Sequence, residues 1–509
     1  MFMTLHLEKQ EHTRNNKLLA ADVLANSMSQ TFITLWLLFV VNTTPGEQHD
    51  RAIRVDSHPL HNTPLKDAPV VVTVNLQQSL NTITDHFIGH SLGFPNYGVH
   101  LAAYLESRKL ITIARALSPM WVRMAGNFVS GPPYKMSRGP LWDKMNHFFK
   151  TVGWDQIHVL DDDVHGNNGS WSPDKARVLV QYSAARNYSI AGFELGNEYD
   201  VQSQHDNTTL TPAELATGVQ TLQTLLGEFP KYYSSFITGP DTLFVLPTFF
   251  QGFLSAGGQK VVRAATFHHY YFSGLKATLS SFTNITIMQS LAHKIDKAMA
   301  ESRSVNPLLP VWLSETGSAS AQGAPGLSDR FVAGFLWLDK LGVCAKKGIQ
   351  SVIRFVFYAN DQASFGLIDK NLNPNPDFWL TVLYRRIVRG AVFLATGRHD
   401  VRVYAACANT DNFKAGGLAL YILNPNNYPV TFDLPQFTHQ PRFRYSLTAG
   451  DKDGLTSKYI ALNGEKLQLV NDELPPLEPE SAPPGVVTVP AYSYTFLVFP
   501  EAEVSICLH

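Results

Sequence analysis

Charge is scarce in these 509 residues. Asp, Glu, Lys and Arg make up 16% of the chain, where a globular protein carries about a quarter. Lys+Arg 41 against Asp+Glu 42 leaves a formal net charge of −1. So weak a field recruits no polyanion by itself. It excludes a nucleic-acid binder and requires any acidic polymer to find a local basic cleft. Cysteine is scarcer still: Cys344, Cys407 and Cys507. Three cysteines exclude a dense disulfide framework, allow one bridge plus a free thiol, and match no zinc spacing. Long apolar runs are missing too. The strongest, Thr31–Val41, is too short for a comfortable membrane span and has the length of a signal-peptide core. Met28 stands just before it, so residues 1–27 read as an extension ahead of the true start. An uncleaved signal anchor is the other reading.

Hydrophobic residues reach 45%, enough for a large core and more than one domain. Sequons at Asn42, Asn168, Asn187, Asn207 and Asn284 together favour a secretory route. From about Thr84 to Val388, short β-branched apolar runs (IHVL, GFELGN, AATFHHYYF, PVWLSE, QSVIRFVFY) alternate with amphipathic stretches such as DKARVLVQYSAARNY and SDRFVAGFLWLDKLGVCAKKG. Repeated strand–helix units over this length predict an α/β fold, a (β/α)8 TIM barrel. After Arg389 the texture becomes short strands with turn residues between them, a C-terminal β-sandwich. The expected divisions are residues 1–46 as extension and signal-like segment, 68–82 as a strand joining the β-sandwich, 83–388 as the barrel and 389–509 as the sandwich.

Chemistry in such a barrel sits at the carboxyl ends of the strands. Two apolar runs close on a glutamate there: Glu198 in GFELGNE and Glu315 in PVWLSE. Either alone reads more readily as a structural hydrogen-bonding group. As a pair across a barrel mouth, they are what glycoside hydrolysis needs: one carboxylic acid to protonate the leaving oxygen, one carboxylate to attack the anomeric carbon. Asn197 suits a hydrogen bond to a sugar 2-hydroxyl. In FHHYYF, strand alternation puts His268 and Tyr270 on one face and His269 and Tyr271 on the other. Adjacent histidines facing opposite ways argue against a zinc site. Tyr270 is placed to hydrogen-bond a catalytic carboxylate and favour its ionised form, and Tyr271 to pack under helices. Glu194 reads as structural. The acid role of Glu198 calls for a raised pKa and an acidic optimum.

ELGNE, ATFHHYYFSG, WLSETGSASAQGAPGLSDRFVAGFLWLDKLG and GLIDKNLNPNPDFW together resemble the heparanase family, glycoside hydrolase family 79. The resemblance runs from about Val70 to Cys507. It implies a barrel whose sandwich is built partly from the stretch before it, and retaining endo-β-glucuronidase chemistry on glycosaminoglycans. It makes Glu198 the proton donor and Glu315 the nucleophile, with Asn197, His268, Tyr270, Asn127 and Gly323 as substrate-binding neighbours. Cys407 and Cys507 match a sandwich disulfide, leaving Cys344 unpaired. It implies no cofactor and no metal, a glycosaminoglycan as the partner, and a secreted or lysosomal enzyme with no stable membrane insertion once a signal is removed.

The chain departs from the family pattern in places. Tyr199 follows Glu198 where a proline is usual, and Phe365 stands where a cleft tyrosine is found. The turn after the nucleophile reads Ser320-Ala321-Gln322-Gly323, an aspartate is replaced by Asn75, and a strand ends in Leu160-Asp161-Asp162. Asp161 to Asp163 would repel a polyanion if they faced the cleft, and read equally as a solvated loop. The stretch GPDTLFVLPTFFQGFLSAGG holds no lysine or arginine, where vertebrate heparanases carry a basic cluster. Basic side chains recognise sulfate, so hyaluronan, the substrate of the leech member, competes with heparan sulfate as the expected polymer. NFVSGPPYKMSRGPLWDKMNHFFK is too short for an excised linker, which predicts a single-chain monomer. Its Lys135, Arg138, Lys144 and Lys150 read as a substitute basic rim or as ordinary surface charge. A non-catalytic glycosaminoglycan-binding homologue is the alternative function, and exo-action depends on whether a loop closes one end of the cleft.

Overall fold

The computed structural model describes residues 68–93, 98–125, 139–160, 171–202, 210–360 and 363–508. Eight parallel strands close into a barrel: β1 (Ile88–Gly93), β2 (Met120–Ala125), β3 (Trp154–Leu160), β4 (Gly192–Leu195), β5 (Phe236–Thr242), β6 (Val262–His269), β7 (Val311–Thr316) and β8 (Val352–Arg354), with β8 pairing back onto β1. The run QSVIRFVFY keeps only three residues of regular strand, because the chain leaves the sheet after Arg354.

Among the outer helices are α1 (Pro212–Leu226), α2 (Ile285–Val305), α3 (Ala333–Lys347) and α4 (Pro376–Ile387). Their starts are written locally. Thr211 and Glu214 form a capping box ahead of α1, with Pro212 at its first position. Asn284 caps α2 by accepting from the amides of Thr286 and Ile287.

The barrel floor is apolar: Trp121, Ile157, Ala264, Trp312 and Ile353, joined by Ala191 and Phe236. Trp121 and Trp312 stack with centroids 6.1 Å apart, and the Phe236 ring meets both edge-on. Gly89 on β1 makes room for them. A Cβ there would lie 2.8 Å from the Trp121 carbonyl oxygen. Directly above the floor the interior turns polar, with Arg123, Glu194, Thr238, Thr266 and Ser314 all buried. Groups in that layer need hydrogen-bond partners, since an unsatisfied buried polar group is costly.

The sandwich begins before the barrel does. Val70–Val71 pairs with Val430–Asp433, and Thr73–Asn75 and Asn81–Ile83 pair with Val388–Thr396. Strand alternation gives its large sheet two buried faces. In Leu418–Asn424, residues Leu418, Leu420 and Ile422 face the sandwich core, while Ala419, Tyr421 and Leu423 join the core shared with the barrel helices. Each large apolar side chain so buried contributes about 1.5–3 kcal/mol, and the second face ties the sheet to the barrel helices in one shared cluster. Helix α3 lies at that seam and is buried along its length from Ala333 to Ala345. Cys407 and Cys507 are disulfide-bonded, and Cys344 is free and buried on α3. The bridge spans 100 residues, worth about 4.7 kcal/mol in the chain-entropy account. Asn75 lies exposed in a sandwich strand, its side chain accepting from the Gln77 amide, and is not part of the barrel mouth. Among the described residues, no helix is long and apolar enough to cross a membrane.

Candidate active site

Strand β4 ends at Leu195 and the chain turns through Gly196, whose φ is +73°. Only glycine fits, because the Tyr199 ring folds over that α-carbon and a Cβ would lie 2.1 Å from it. Glu198 itself has φ +54°, and Asp241, at the end of β5, has φ +53°. Left-handed backbone at a residue bearing a Cβ costs about 1–2 kcal/mol and persists where the surroundings over-determine it. Here they do: the Glu198 amide donates to the Asp241 carbonyl oxygen at 2.9 Å, and the Asp241 amide donates to Thr266 Oγ1 at 2.9 Å.

Glu315 enters from β7 across a bulge: its register against β6 slips between Leu313 and Glu315. The bulge lets Ser314 and Glu315 both reach the interior. Ser314 Oγ donates to Asp241 Oδ1 at 2.5 Å. Glu315 Oε1 accepts from Tyr270 Oη at 2.8 Å, and its Oε2 accepts from Arg123 Nη1 at 2.9 Å. Fully buried Arg123 also donates from Nε to Glu194 Oε2 at 2.6 Å and from Nη2 to Asn197 Oδ1 at 2.9 Å. One guanidinium therefore fixes Glu315, Asn197 and Glu194 together. Glu194 accepts a second bond from Thr238 Oγ1 at 2.8 Å.

His268 Nδ1 lies 2.8 Å from Glu198 Oε1, and its Nε2 lies 3.5 Å from Asp241 Oδ1. The second distance is an electrostatic contact rather than a well-formed hydrogen bond. One carboxylate oxygen each of Glu198 and Glu315 and a ring nitrogen of His268 lie within 4.8 Å of one another. Both carboxylates reach solvent, with side chains 24% and 12% exposed, whereas His268 and Arg123 do not. His269 and Tyr271 point the other way and meet edge to face at 4.7 Å, with Lys340 from α3 over the Tyr271 ring.

Burial pushes the His268 imidazole toward the neutral form, but Glu315, Asp241 and Glu198 outweigh it and raise its pKa to about 10. Asp241 is likewise buried, yet Arg123 and His268 hold its carboxyl below the ordinary range. Glu194 goes the other way, raised by burial against the pull of Arg123. Glu198 departs from the sequence expectation. Burial would raise its pKa, but the bond from His268 and the charges of His268, Arg123 and Lys294 lower it in the free protein. A buried cation count cannot be read from the strand pattern, which is why the expected direction fails.

Among the described residues, Glu198, His268 and Glu315 form a carboxylate and imidazole set spaced for a metal ion. These side chains already bond to one another, to Arg123 and to Tyr270.

Residues 105–342 match the Glycosyl hydrolase family 79, N-terminal domain. Heparanase of Bos taurus is 34% identical over 382 residues, covering 72% of this chain and 68% of that one. The chain belongs to glycosyl hydrolase family 79. Two further relatives bracket this family-79 chain. The hyaluronoglucuronidase of Hirudo nipponia is 27% identical over 493 residues, 86% of this chain and 99% of its own length. Inactive heparanase-2 of Mus musculus is 30% identical over 394 residues, 72% of this chain and 64% of its own. As a family-79 member with heparanase and hyaluronoglucuronidase relatives, the chain is a glycoside hydrolase, and its (β/α)8 barrel is the family's fold.

The sequence-derived candidates Glu198, Glu315, Asn197, His268 and Tyr270 converge in one cluster. Asn127 lies outside the described residues, as do the Thr31–Val41 segment, Asp161 to Asp163, Lys135, Arg138 and the sequons at Asn42, Asn168 and Asn207. Gly323 ends a run of three left-handed residues, Ala321, Gln322 and Gly323, and its α-carbon abuts Ser364 and Phe365. Its amide donates to the Ser320 carbonyl oxygen at 3.3 Å. Phe365 is buried behind this turn with its ring 5.3 Å from Phe355. Cys407 and Cys507 lie in the sandwich. Sequence reasoning missed Arg123, Asp241 and Lys294. Arg123 did leave a signal: an arginine inside the apolar run MWVRMA must find buried counter-charges.

Proposed function

We propose that this protein is a retaining endo-β-glucuronidase that hydrolyses internal glucuronide bonds of a glycosaminoglycan, heparan sulfate or hyaluronan. The carboxylate spacing carries the mechanism. Retaining glycosidases hold their two carboxyl groups about 5–5.5 Å apart, whereas inverting ones leave about 6.5–9.5 Å for a water. Oxygens of Glu198 and Glu315 within 4.8 Å favour the first arrangement. Glu315, oriented by Arg123 and Tyr270, attacks the anomeric carbon. Glu198 protonates the leaving oxygen and afterwards takes a proton from water. Asn197, its amide plane fixed by Arg123, is assigned to the sugar 2-hydroxyl. The turn ending at Gly323 and, by resemblance, Asn127 complete the binding surface.

The interior holds Glu194, Glu198, Asp241 and Glu315 against Arg123 and His268, so cations for a polyanion belong at the rim. The absence of lysine and arginine from residues 239–258 favours a weakly sulfated chain. The reading includes a secreted, single-chain, glycosylated monomer. The disulfide and the exposed sequons Asn187 and Asn284 support that route. The second reading, a non-catalytic glycosaminoglycan binder, is favoured by the similarity to an inactive heparanase. Against it stand both carboxylates with their donors in place.

Product analysis on defined heparan sulfate and hyaluronan oligosaccharides tests the proposal. Internal cleavage with retained β configuration in the first product is expected, together with loss of hydrolysis in Glu315→Gln. Full activity of that variant overturns the mechanism, and absence of any reducing-end release overturns the enzyme reading.

A further inference from the structure

Lys294 comes from α2, outside the barrel, yet its side chain reaches the loops that carry the catalytic acid. Its Nζ donates to the Leu243 carbonyl oxygen at 2.6 Å. The amide of the same residue donates to Asp200 Oδ1 at 3.0 Å, and the next amide, of Phe244, donates to Asp200 Oδ2. A single peptide segment is thus gripped at its N–H end by an anion and at its C=O end by a cation. Both ends matter for Glu198. Asp200 lies two residues after it, and Leu243 lies two residues after Asp241, whose carbonyl oxygen accepts the Glu198 amide. Leu243 also belongs to the stretch that holds no lysine or arginine of its own, so the positive charge there arrives from a different helix.

We propose that Lys294 is a positioning residue for Glu198: it locks the Leu243 segment against the Glu198 loop and sets a fixed positive charge behind the acid that confines activity to acidic pH. This rests on Glu198 being the acid/base group. Lys294 interacts electrostatically with Glu198 and Asp200 on the loop after β4, with Lys297 on its own helix, with His269 on β6 and with Lys340 on α3. Burial lowers its pKa to about 8, with Asp200 and Glu198 opposing the shift. Lys294 is therefore an ammonium throughout the acidic range in which Glu198 titrates. A cation beside a carboxyl favours the ionised form. Removing it raises the pKa of Glu198, so a larger fraction of the acid stays protonated as pH rises.

The test compares Lys294→Gln, one atom shorter but still a donor, Lys294→Met, of similar length without a donor, and Lys294→Arg, which keeps the charge. Expected for both neutral variants is an alkaline limb of kcat/KM moved upward by about half to one pH unit, with Lys294→Met also losing several-fold in kcat at little change in KM. Lys294→Arg returns the limb to its wild-type position. A lysine that only ties down a loop would lower activity without moving the limb, and an unmoved limb overturns the proposal. An equal shift in Lys294→Arg does the same. The carboxyl carbon resonance of Glu198, assigned by its absence in Glu198→Gln, titrates without any substrate. A higher pKa in Lys294→Gln upholds the proposal even if the wild-type protein cleaves no glucuronide polymer, a result that would sink only the functional reading. The coupling is reciprocal. Where the lysine variants fail to fold, amine labelling of Lys294 in Glu198→Gln must show a lower lysine pKa than in wild type, and an unchanged value overturns the proposal.

Discussion

Arg123 Nη1 sits 2.9 Å from Glu315 Oε2, and the same guanidinium sits 2.6 Å from Glu194 Oε2 with none of its surface exposed. The orientation of Glu315, the proposed nucleophile, and the barrel's polar layer therefore depend on one side chain. Arg123→Met leaves buried Glu194 without its counter-ion and Asp241 with His268 alone, which costs about 3–5 kcal/mol. A fall in melting temperature of several degrees is expected, with kcat down by at least about 100-fold. Arg123→Lys supplies a point charge rather than a fork. It is expected to restore much of the stability but not the activity, read by thermal unfolding and single-turnover hydrolysis side by side.

Tyr270 offers a cleaner probe of Glu315. Its ring is packed and its hydroxyl makes one bond, to Glu315 Oε1. Burial and the carboxylates of Glu315 and Glu198 push the phenol pKa well up, so it donates at any working pH. Tyr270→Phe removes that donor and keeps the ring. The expected result is a kcat about 10- to 100-fold lower with a melting temperature within a few degrees of wild type. A variant with wild-type kcat would show that Arg123 alone orients Glu315.

His268 links stability to pH. Its folded pKa is raised to about 10 against an ordinary value of 6.5, so its contribution is fully present below pH 6.5 and is lost as pH rises through about 10. Wild-type melting temperature should therefore decline over that window, and His268→Asn should flatten the decline. The same substitution removes a cation from Glu198, whose pKa then rises. The alkaline limb of kcat/KM moves to higher pH while kcat falls. A limb that moves downward would contradict the charge assignment.

The architecture and half of the candidate site were legible because they follow from local rules. Strand alternation separates His268 and Tyr270 from His269 and Tyr271, and strand ends mark Glu198 and Glu315. What stayed hidden depends on three-dimensional closure. Asp241 and Glu198 become neighbours only because both backbones turn left-handed. Lys294 lies on an amphipathic helix with nothing in its sequence to aim it inward. The lowered pKa of Glu198 is the sum of cations from β2, β6 and α2, each unremarkable in its own segment. Tyr199 shows the converse. It is a visible departure from the family pattern, and its reason appears only when its ring is found against Gly196.

That contact makes Tyr199 a packing residue, and a double-mutant cycle with Gly196 measures it. Tyr199 is buried at the first position of a short helix, Tyr199–Gln202, where proline is sterically welcome. Tyr199→Pro should keep the turn yet empty the space the ring fills. A cost of about 3–5 kcal/mol is expected, the range for truncating a large buried aromatic side chain. Gly196→Ala in the wild-type background places a Cβ 2.1 Å from the ring and should be severely destabilising. In the Tyr199→Pro background the steric part of that penalty disappears. Only the left-handed backbone cost at φ +73°, about 1–2 kcal/mol, remains. The two substitutions must therefore couple by at least about 1 kcal/mol in denaturant unfolding. Additive effects would mean that the ring does not dictate the glycine, and that the turn itself requires Gly196 whatever follows Glu198.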